Sequence, residues 1–467
     1  MGVGERARNR SIGRQARSRH LDARRSVQRE RISTILSIAG TACLFLGLAW
    51  TLCYLYFGRG DLSFVFVGLM GVGLFAISRV KRSDVGSLLI VAHGVLIAVC
   101  AVGVIDAPIE WVPRSAHLFL LPLAAGAAFT FEARYRYGSL VFPLVCLGIF
   151  CTFSIGALDS LAPGISPPLE VRAWGARLNA VVSMALLALI FAIYRIDIGQ
   201  RLRMERDLRS AVRNGEIEVH YQPQVTSSGV VTGVEALVRW RHPSGSMFSP
   251  DTFIPLAEES ELICEVGLEV VRLACETLRH WSGDSATSTL RMAVNISPVQ
   301  LSDRGFLSSV SRIINSYGVD PALLEFELTE SALSTDAEAV VETMKALEGI
   351  GVTWALDDFG TGYSSLSLLR SLPVRKLKID RRFVDGAVGQ EGARRLLGKI
   401  VEISQVMGME ALAEGVETAD QLDLLVGLGC VHFQGYFFSR PLTRESLVRW
   451  LDERRLSVVA GKVHLSE

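Results

Sequence analysis

Thr353-Trp-Ala-Leu-Asp-Asp358 is a short, largely apolar run that breaks off at two adjacent carboxylates. The same design recurs one strand apart along the second half of the chain, in Met292-Ala-Val-Asn295, Leu324-Glu-Phe-Glu327 and Leu377-Lys-Ile379. In all, eight side chains able to bind metal or move protons stand at or just past the end of such a run: Glu235, Asn295, Glu327, Asp357, Asp358, Lys378, Glu414 and Gln434. Stretches of helical patterning separate the runs. Strands alternating with helices imply a parallel barrel or sheet, and polar residues at the carboxyl ends of barrel strands all point at one mouth. A mouth crowded with carboxylates calls for metal.

The alternation begins irregularly. Ile217–Val225 and Gly229–Trp240 read as extended segments joined only by Thr226-Ser-Ser-Gly229, and so short a connection forces the two strands antiparallel. Further strands are expected near Arg291, Leu323, Thr353, Lys376, Met409 and Cys430. The expected fold is α/β: a TIM-like (β/α)8 barrel over 217–455 with an irregular antiparallel first strand, preceded by an all-α transmembrane domain of about six helices.

The zero net charge of the 467-residue chain conceals an asymmetry: Lys and Arg outnumber Asp and Glu 20 to 11 in residues 1–200 but trail them 28 to 37 in residues 201–467. An acidic second half disfavours a broad grip on DNA and leaves room for a small anionic ligand once cations are bound. The first half is apolar at membrane density, with segments at about Ile32–Phe57, Leu62–Ser78, Gly86–Ile105, Ala116–Phe131, Gly138–Leu158 and Ala176–Tyr194. Ten arginines precede Ile32, and basic residues follow the second, fourth and sixth segments (Arg79, Lys81, Arg82; Arg134, Arg136; Arg195, Arg201, Arg203). By the positive-inside rule both termini are then cytoplasmic. The first apolar run is too long for a cleavable signal, so it reads as an uncleaved span. Residues 1–31 form a basic arm suited to anionic membrane lipid, residues 32–195 the membrane domain, 196–216 a linker helix and 456–467 a tail. The eight cysteines include no CxxC pair, which removes disulfide and zinc frameworks.

Residues 204–452 resemble the EAL domain, the family of cyclic di-GMP phosphodiesterases. The resemblance is carried by Glu235-Ala-Leu237 within Val234-Glu-Ala-Leu-Val-Arg-Trp240, and by Tyr221-Gln-Pro223, Phe253-Ile-Pro-Leu-Ala-Glu258, Asn295-Ile-Ser297, Glu327-Leu-Thr-Glu330, Asp357-Asp-Phe-Gly-Thr-Gly-Tyr-Ser-Ser365, Lys378-Ile-Asp380, Glu414-Gly-Val-Glu417 and Gln434-Gly435. It implies that Glu235, Asn295, Glu327 and Asp357 hold one Mg²⁺ or Mn²⁺, and that Asp357, Asp358 and Glu414 hold or orient a second, with Asp357 bridging. Two such ions would activate a water to open one phosphodiester of cyclic di-GMP, giving linear pGpG. Lys378 would position that water or offset charge, and Glu414 would act as ligand or base. By the same resemblance Glu330 fixes the loop Phe359–Ser365, while Gln222, Leu237, Arg239, Asp380 and Gln434 contact substrate. The family is bacterial and commonly pairs through the barrel, so the resemblance implies an inner-membrane protein and admits a homodimer.

Singly, these residues have structural alternatives: Asn295 as a helix cap, Lys378 as a snorkelling surface residue, Glu330 as a helix-start acid and Gln434 as a structural hydrogen-bonder. Small departures from the family pattern fall at Gln224, usually apolar, at Glu261, commonly glycine, and at Trp354, usually a smaller aliphatic. No GGDEF-type motif is present, so synthesis of the dinucleotide is not expected. Two rival functions are a barrel that captures cyclic di-GMP without hydrolysis and a membrane transporter. All the ligand residues are present, against the first, and the apolar segments hold essentially no acids, against the second. His93 and His117, in or near apolar segments, read either as metal or haem ligands or as histidines satisfied by neighbouring helices.

Overall fold

The computed structural model of the protein describes residues 20–106, 108, 112–131, 135–161, 168–330, 332, 337–360 and 366–459, with the backbone alone at 20–31, 337, 366–367 and 456–459. Most of the basic arm, Arg134, the loop segment 361–365 and the end of the tail lie outside the described residues. The chain divides into two compact units, one over Arg24–Leu202 and one built on Arg203–Glu467.

The first unit is helical: α1 (His20–Tyr56), α2 (Gly60–Arg79), α3 (Val85–Ile105), α4 (Leu120–Thr130), α5 (Phe142–Ser154) and the beginning of α6 (Leu169–Asn214). Among the described residues five helical stretches are long and apolar enough to cross a membrane, α5 being one of them together with the turn before it as Tyr137–Ser154; the apolar segment expected at Ala116–Phe131 forms a shorter helix, Ala116–Thr130. Small and branched side chains lock the helices together, with Leu36, Ala76, Val91, Ala127 and Cys146 in one cluster. The outer faces invert the usual rule that apolar groups hide: Phe45 is 71 % exposed, Ile97 69 % and Val181 67 %. A helix satisfies its own backbone polar groups, so such a surface is stable against hydrocarbon. Both ring nitrogens of His93 are engaged, by Leu89 O and Tyr137 Oη at 2.7 Å each. His117 Nδ1 is buried with no hydrogen bond, its ring stacked on Phe150.

The second unit is built on strands β1 (Ile217–Thr226), β2 (Val231–Arg241), β3 (Met247–Phe248), β4 (Arg291–Asn295), β5 (Leu324–Thr329), β6 (Thr353–Phe359), β7 (Lys376–Ile379), β8 (Glu410–Ala413) and β9 (His432–Phe433). Their order is β1-β9-β8-β7-β6-β5-β4-β2-β3, and β1 also pairs with β2, which closes a barrel with β3 outside it. As the short Thr226–Gly229 connection requires, β1 is antiparallel to both β2 and β9, while β2, β4 and the strands that follow run parallel. Amphipathic helices cover the outside. In α8 (Ile263–Trp281, following α7, Pro250–Glu259), Ile263, Val266, Val270, Ala274 and Leu278 recur at helical spacing and are buried.

With helices outside and the lumen inside, both faces of a strand are buried, so period-two alternation chooses between two interiors rather than between core and solvent. Apolar Leu324, Phe326 and Leu328 alternate with Glu325 and Glu327 in β5, and Leu377 and Ile379 alternate with Lys376 and Lys378 in β7. All nine are buried. The charged residues meet in two layers. In the lower one Lys376 Nζ lies 2.6 Å from Glu325 Oε1 and 3.1 Å from Gln224 Oε1, so the unusual Gln224 is a neutral third partner for a buried ion pair. Trp354, the second departure, is buried with Nε1 donating to Met344 O at 3.0 Å. The third, Glu261, takes φ +60°, the left-handed conformation that favours glycine.

Two measurements of stability test these readings. Lys376→Met leaves the Glu325 carboxylate buried without a counter-charge and is expected to cost about 3–5 kcal/mol, whereas Lys376→Met with Glu325→Leu is expected to recover most of that loss in urea unfolding followed by tryptophan fluorescence. Glu261→Gly is expected to raise stability by about 1 kcal/mol in the same assay.

Candidate active site

Parallel pairing sets the strand ends side by side. Asn295 pairs with Glu327, Thr329 with Asp357, and Lys378 with Leu412, while Glu414 and Gln434 directly follow β8 and β9. Consecutive residues of a regular strand point to opposite faces, which would send Asp357 and Asp358 apart. They stay together because the β6–β7 register breaks between Leu356 and Phe359 and Asp358 adopts φ +56°. This irregularity re-aims a side chain at the barrel rim. Asp357 Oδ1 accepts from Asp358 N at 2.8 Å, and Asp357, Asp358 and Glu414 each offer a carboxylate oxygen within 4.8 Å of the others.

At the centre stands the fully buried Lys378, on no surface from which it could snorkel. Its Nζ lies 2.5 Å from Glu327, 2.8 Å from Glu414, 3.5 Å from Asp357 and 3.7 Å from Glu235. Burial alone would strip its proton, but the surrounding carboxylates, Asp357 and Glu235 foremost, hold its pKa well above the usual lysine value. Burial likewise opposes ionisation of Glu235, yet Lys378 and hydrogen bonds from Gln434 and Asn295 outweigh it and keep that carboxyl below the ordinary range. Glu327 goes the other way: burial and the charges of Glu235 and Asp357 overcome Lys378 and push it well up. Two carboxyls on one ammonium are thus driven in opposite directions, Glu235 toward ionisation and Glu327 away from it.

Glu235 is held at both oxygens, with Asn295 Nδ2 at 2.7 Å on Oε1 and Gln434 Nε2 at 2.5 Å on Oε2. Gln434 also reaches Gln222 Oε1 at 3.2 Å, and Gln222 donates to Ser439 O at 3.2 Å. Asn295 does not cap the next helix, α9 (Pro298–Ser302); Ser297 does, in a capping box with Gln300. Glu258 supports that turn by accepting from Ser297 Oγ at 2.8 Å. Glu330 accepts from Gly360 N at 3.0 Å, and Gly360 at φ +88° takes the tight backbone that only glycine adopts easily.

The remaining sequence candidates stand differently. Arg239 donates to Val238 O at 2.8 Å and Leu237 is half-buried in β2. Asp380 is buried, accepting from Arg382 N at 2.8 Å and pairing with Arg382 Nε at 2.8 Å, which makes it the cap of a helix (Arg381–Ala387). Glu417 pairs with Arg381 at 2.7 Å. The sequence reading passed over Lys376 and Glu325, although each stands two residues before a singled-out position and so shares its face.

This donor set suits a hard divalent cation: carboxylates from three strand ends, a neutral amide at Asn295, and a buried Glu327 Oε1 with no hydrogen bond. Fold and site together define a TIM-like α/β barrel whose carboxyl-end mouth is an acidic cluster organised around one lysine. The EAL domain model matches residues 205–441, and the chain belongs to the EAL-domain family. Among similar proteins, the bifunctional diguanylate cyclase/cyclic di-GMP phosphodiesterase MucR of Pseudomonas aeruginosa is 37 % identical over 250 residues, covering 53 % of this chain and 36 % of MucR. The cyclic di-GMP phosphodiesterase NbdA of the same organism is 39 % identical over 255 residues, covering 54 % of this chain and 32 % of NbdA. This chain therefore spans about a third of the length of those relatives. The solved PaMucR phosphodiesterase in complex with c-di-GMP superposes with a TM-score of 0.50 at 37 % identity, over 52 % of this chain and 99 % of that one.

Gly435 marks where the mouth tolerates no extra atom: a Cβ there would stand 2.1 Å from Val416 O and 2.4 Å from Val416 N. Those backbone groups tie the turns after β8 and β9 together through Val416 N to Gln434 O at 3.1 Å. Gly435→Ala must part the turns carrying Glu414 and Gln434, and is expected to cost about 1–3 kcal/mol. Thermal unfolding would read this as a fall of roughly 3–10 °C in Tm.

Proposed function

We propose that the barrel hydrolyses cyclic di-GMP to linear pGpG, with divalent cations held in its acidic mouth, and that the N-terminal helical unit anchors it in a bacterial inner membrane. The observation that carries the first part is the convergence of Glu235, Glu327, Asp357 and Glu414 on Lys378 in a chain of this family. Five helices of membrane-crossing length and apolarity support the second.

Glu235, Asn295, Glu327 and Asp357 form one donor set, and Asp357, Asp358 and Glu414 another. Bound Mg²⁺ or Mn²⁺ supplies a lowered pKa for the attacking water and neutralises charge on the phosphoryl oxygens. Gln434 and Asn295 fix the Glu235 carboxylate so that its oxygens need not reorganise during reaction. Lys378 keeps its proton and balances the acids beside it, so the mouth can accept an anionic phosphodiester instead of repelling it. Gln222 and Arg239 offer an amide and a guanidinium for the guanine edge and the second phosphate. The water oxygen bonds to phosphorus, the bond from phosphorus to the 3′ oxygen breaks, and that oxygen leaves as a hydroxyl carrying one of the water's protons.

Full-length protein with cyclic di-GMP and Mg²⁺ or Mn²⁺ is expected to yield pGpG by liquid chromatography, and EDTA to stop it. Glu235→Ala and Asn295→Ala are each expected to lower the rate at least ~100-fold, as the loss of a positioned electrostatic group does. Tight binding of cyclic di-GMP by the metal-loaded wild type with no pGpG would overturn the enzymatic reading in favour of a capture module.

A further inference from the structure

The helical unit holds an elongated, partly open cavity of about 430 Å³ whose lining on α6 runs from Val171 to Gln200. That volume lies within the range of small-molecule sites. Most of the wall is aliphatic, as at Val95, Leu123 and Leu186, but near one end Asp106, Ser115, Arg172 and Asn179 form a polar pole. The hydrogen bonds there run in one direction. Ser115 donates through N and Oγ to Asp106 Oδ2 at 3.1 and 3.4 Å, so its hydroxyl proton is committed and its oxygen accepts from Asn179 Nδ2 at 3.0 Å. In this network the Asn179 amide turns its Nδ2 to Ser115 and its Oδ1 away from it. Its Oδ1 is left buried with no hydrogen bond among the described residues, on a residue only 8 % exposed. An acceptor in that state costs free energy until a donor arrives.

Among the described residues, the charges at the pole meet opposite charges. Asp106 faces Arg172 at 3.6 Å, and Arg114, buried alongside, is bound to Asp159 at 2.6 Å. A charged head group would add an uncompensated ion to a low-dielectric site, whereas an uncharged donor would complete it. We propose that this cavity binds an extended lipophilic molecule with an uncharged, hydrogen-bond-donating head, such as a long-chain alcohol, its head on Asn179 Oδ1 and its chain along α6. The site is independent of the barrel chemistry. Bulk phospholipid would fill the aliphatic wall without any preference for a donor.

Photolabelling separates these occupants. Full-length protein in phosphatidylcholine nanodiscs is labelled with a diazirine-bearing octadecanol, adducts are mapped by mass spectrometry, and unlabelled octadecenol or its methyl ether is added as competitor. The alcohol is expected to protect the cavity walls at a concentration about tenfold lower than the ether, the effect of one hydrogen bond to a buried acceptor. Asn179→Leu is expected to erase that difference while the ether still competes. In Gly126→Leu, whose new Cβ meets only Ile190 Cδ1 at 3.7 Å, the added side chain enters the cavity and is expected to cut labelling at least fivefold. Equal competition by alcohol and ether in the wild type, a preference that survives Asn179→Leu, or undiminished labelling of Gly126→Leu would each overturn the proposal.

Discussion

The ammonium of Lys378, sealed among Glu235, Glu327, Asp357 and Glu414, is the interaction on which the mouth of the barrel depends. Desolvating one such ion costs several kcal/mol, and desolvating several acids without it would cost far more. The strands β2, β5, β6 and β7 are therefore fixed by a charge as well as by their ladders. A slip of one residue in β7 would swing Lys378 into the apolar shell under the helices and Leu377 or Ile379 into the acids. The electrostatics thus specify the register that main-chain hydrogen bonds alone leave open.

The lower layer extends this logic. Lys376 and Glu325 repeat, two residues earlier on the same strands, the pairing of Lys378 with Glu327, so β5 and β7 are keyed to each other twice. Gln224 from antiparallel β1 joins the lower pair, and Gln222, two residues along the same strand, joins the upper network through Gln434. The irregular first strand is tied into both layers by amides, which bring no charge of their own to a site already balanced. A carboxylate at either position would upset that balance, and an aliphatic would leave a polar partner short of a hydrogen bond.

Much of this was legible in the sequence because polar residues at the ends of apolar runs are costly unless they have partners. Seven of the eight side chains singled out from Glu235 to Gln434 lie at or near strand ends, while Glu235 stands mid-strand in β2, which runs on to Arg241; the antiparallel start followed from the length of one connection. What escaped the reading depends on geometry that residue types do not encode. Asp357 and Asp358 were expected to act together, but period two opposes it, and only the register break and left-handed Asp358 reconcile the two. Glu325 and Lys376 carry no motif of their own, and their pairing follows only from a closed barrel, in which both faces of a strand are buried. Asp380 shows the converse case: an aspartate directly before a helix is a cap by local chemistry, and its bonds to Arg382 follow from that.

The helical unit was legible at a coarser level for a physical reason. Long apolar runs show in composition whatever the packing, so the helices could be located from sequence, although the segment at Ala116–Phe131 folds as a helix shorter than the rest. Interior polar groups such as Asp106, Ser115 and Asn179 come from turns and helices far apart in sequence and acquire meaning only when a fold brings them within 3.0–3.4 Å. Both units nevertheless obey one rule. Where water is excluded, each charge finds an opposite charge, as Lys378 does in the barrel and Arg114 does with Asp159 among the helices. A buried acceptor left over from that pairing, Glu327 Oε1 in one unit and Asn179 Oδ1 in the other, marks where the polypeptide stops short of satisfying itself and a ligand can complete it.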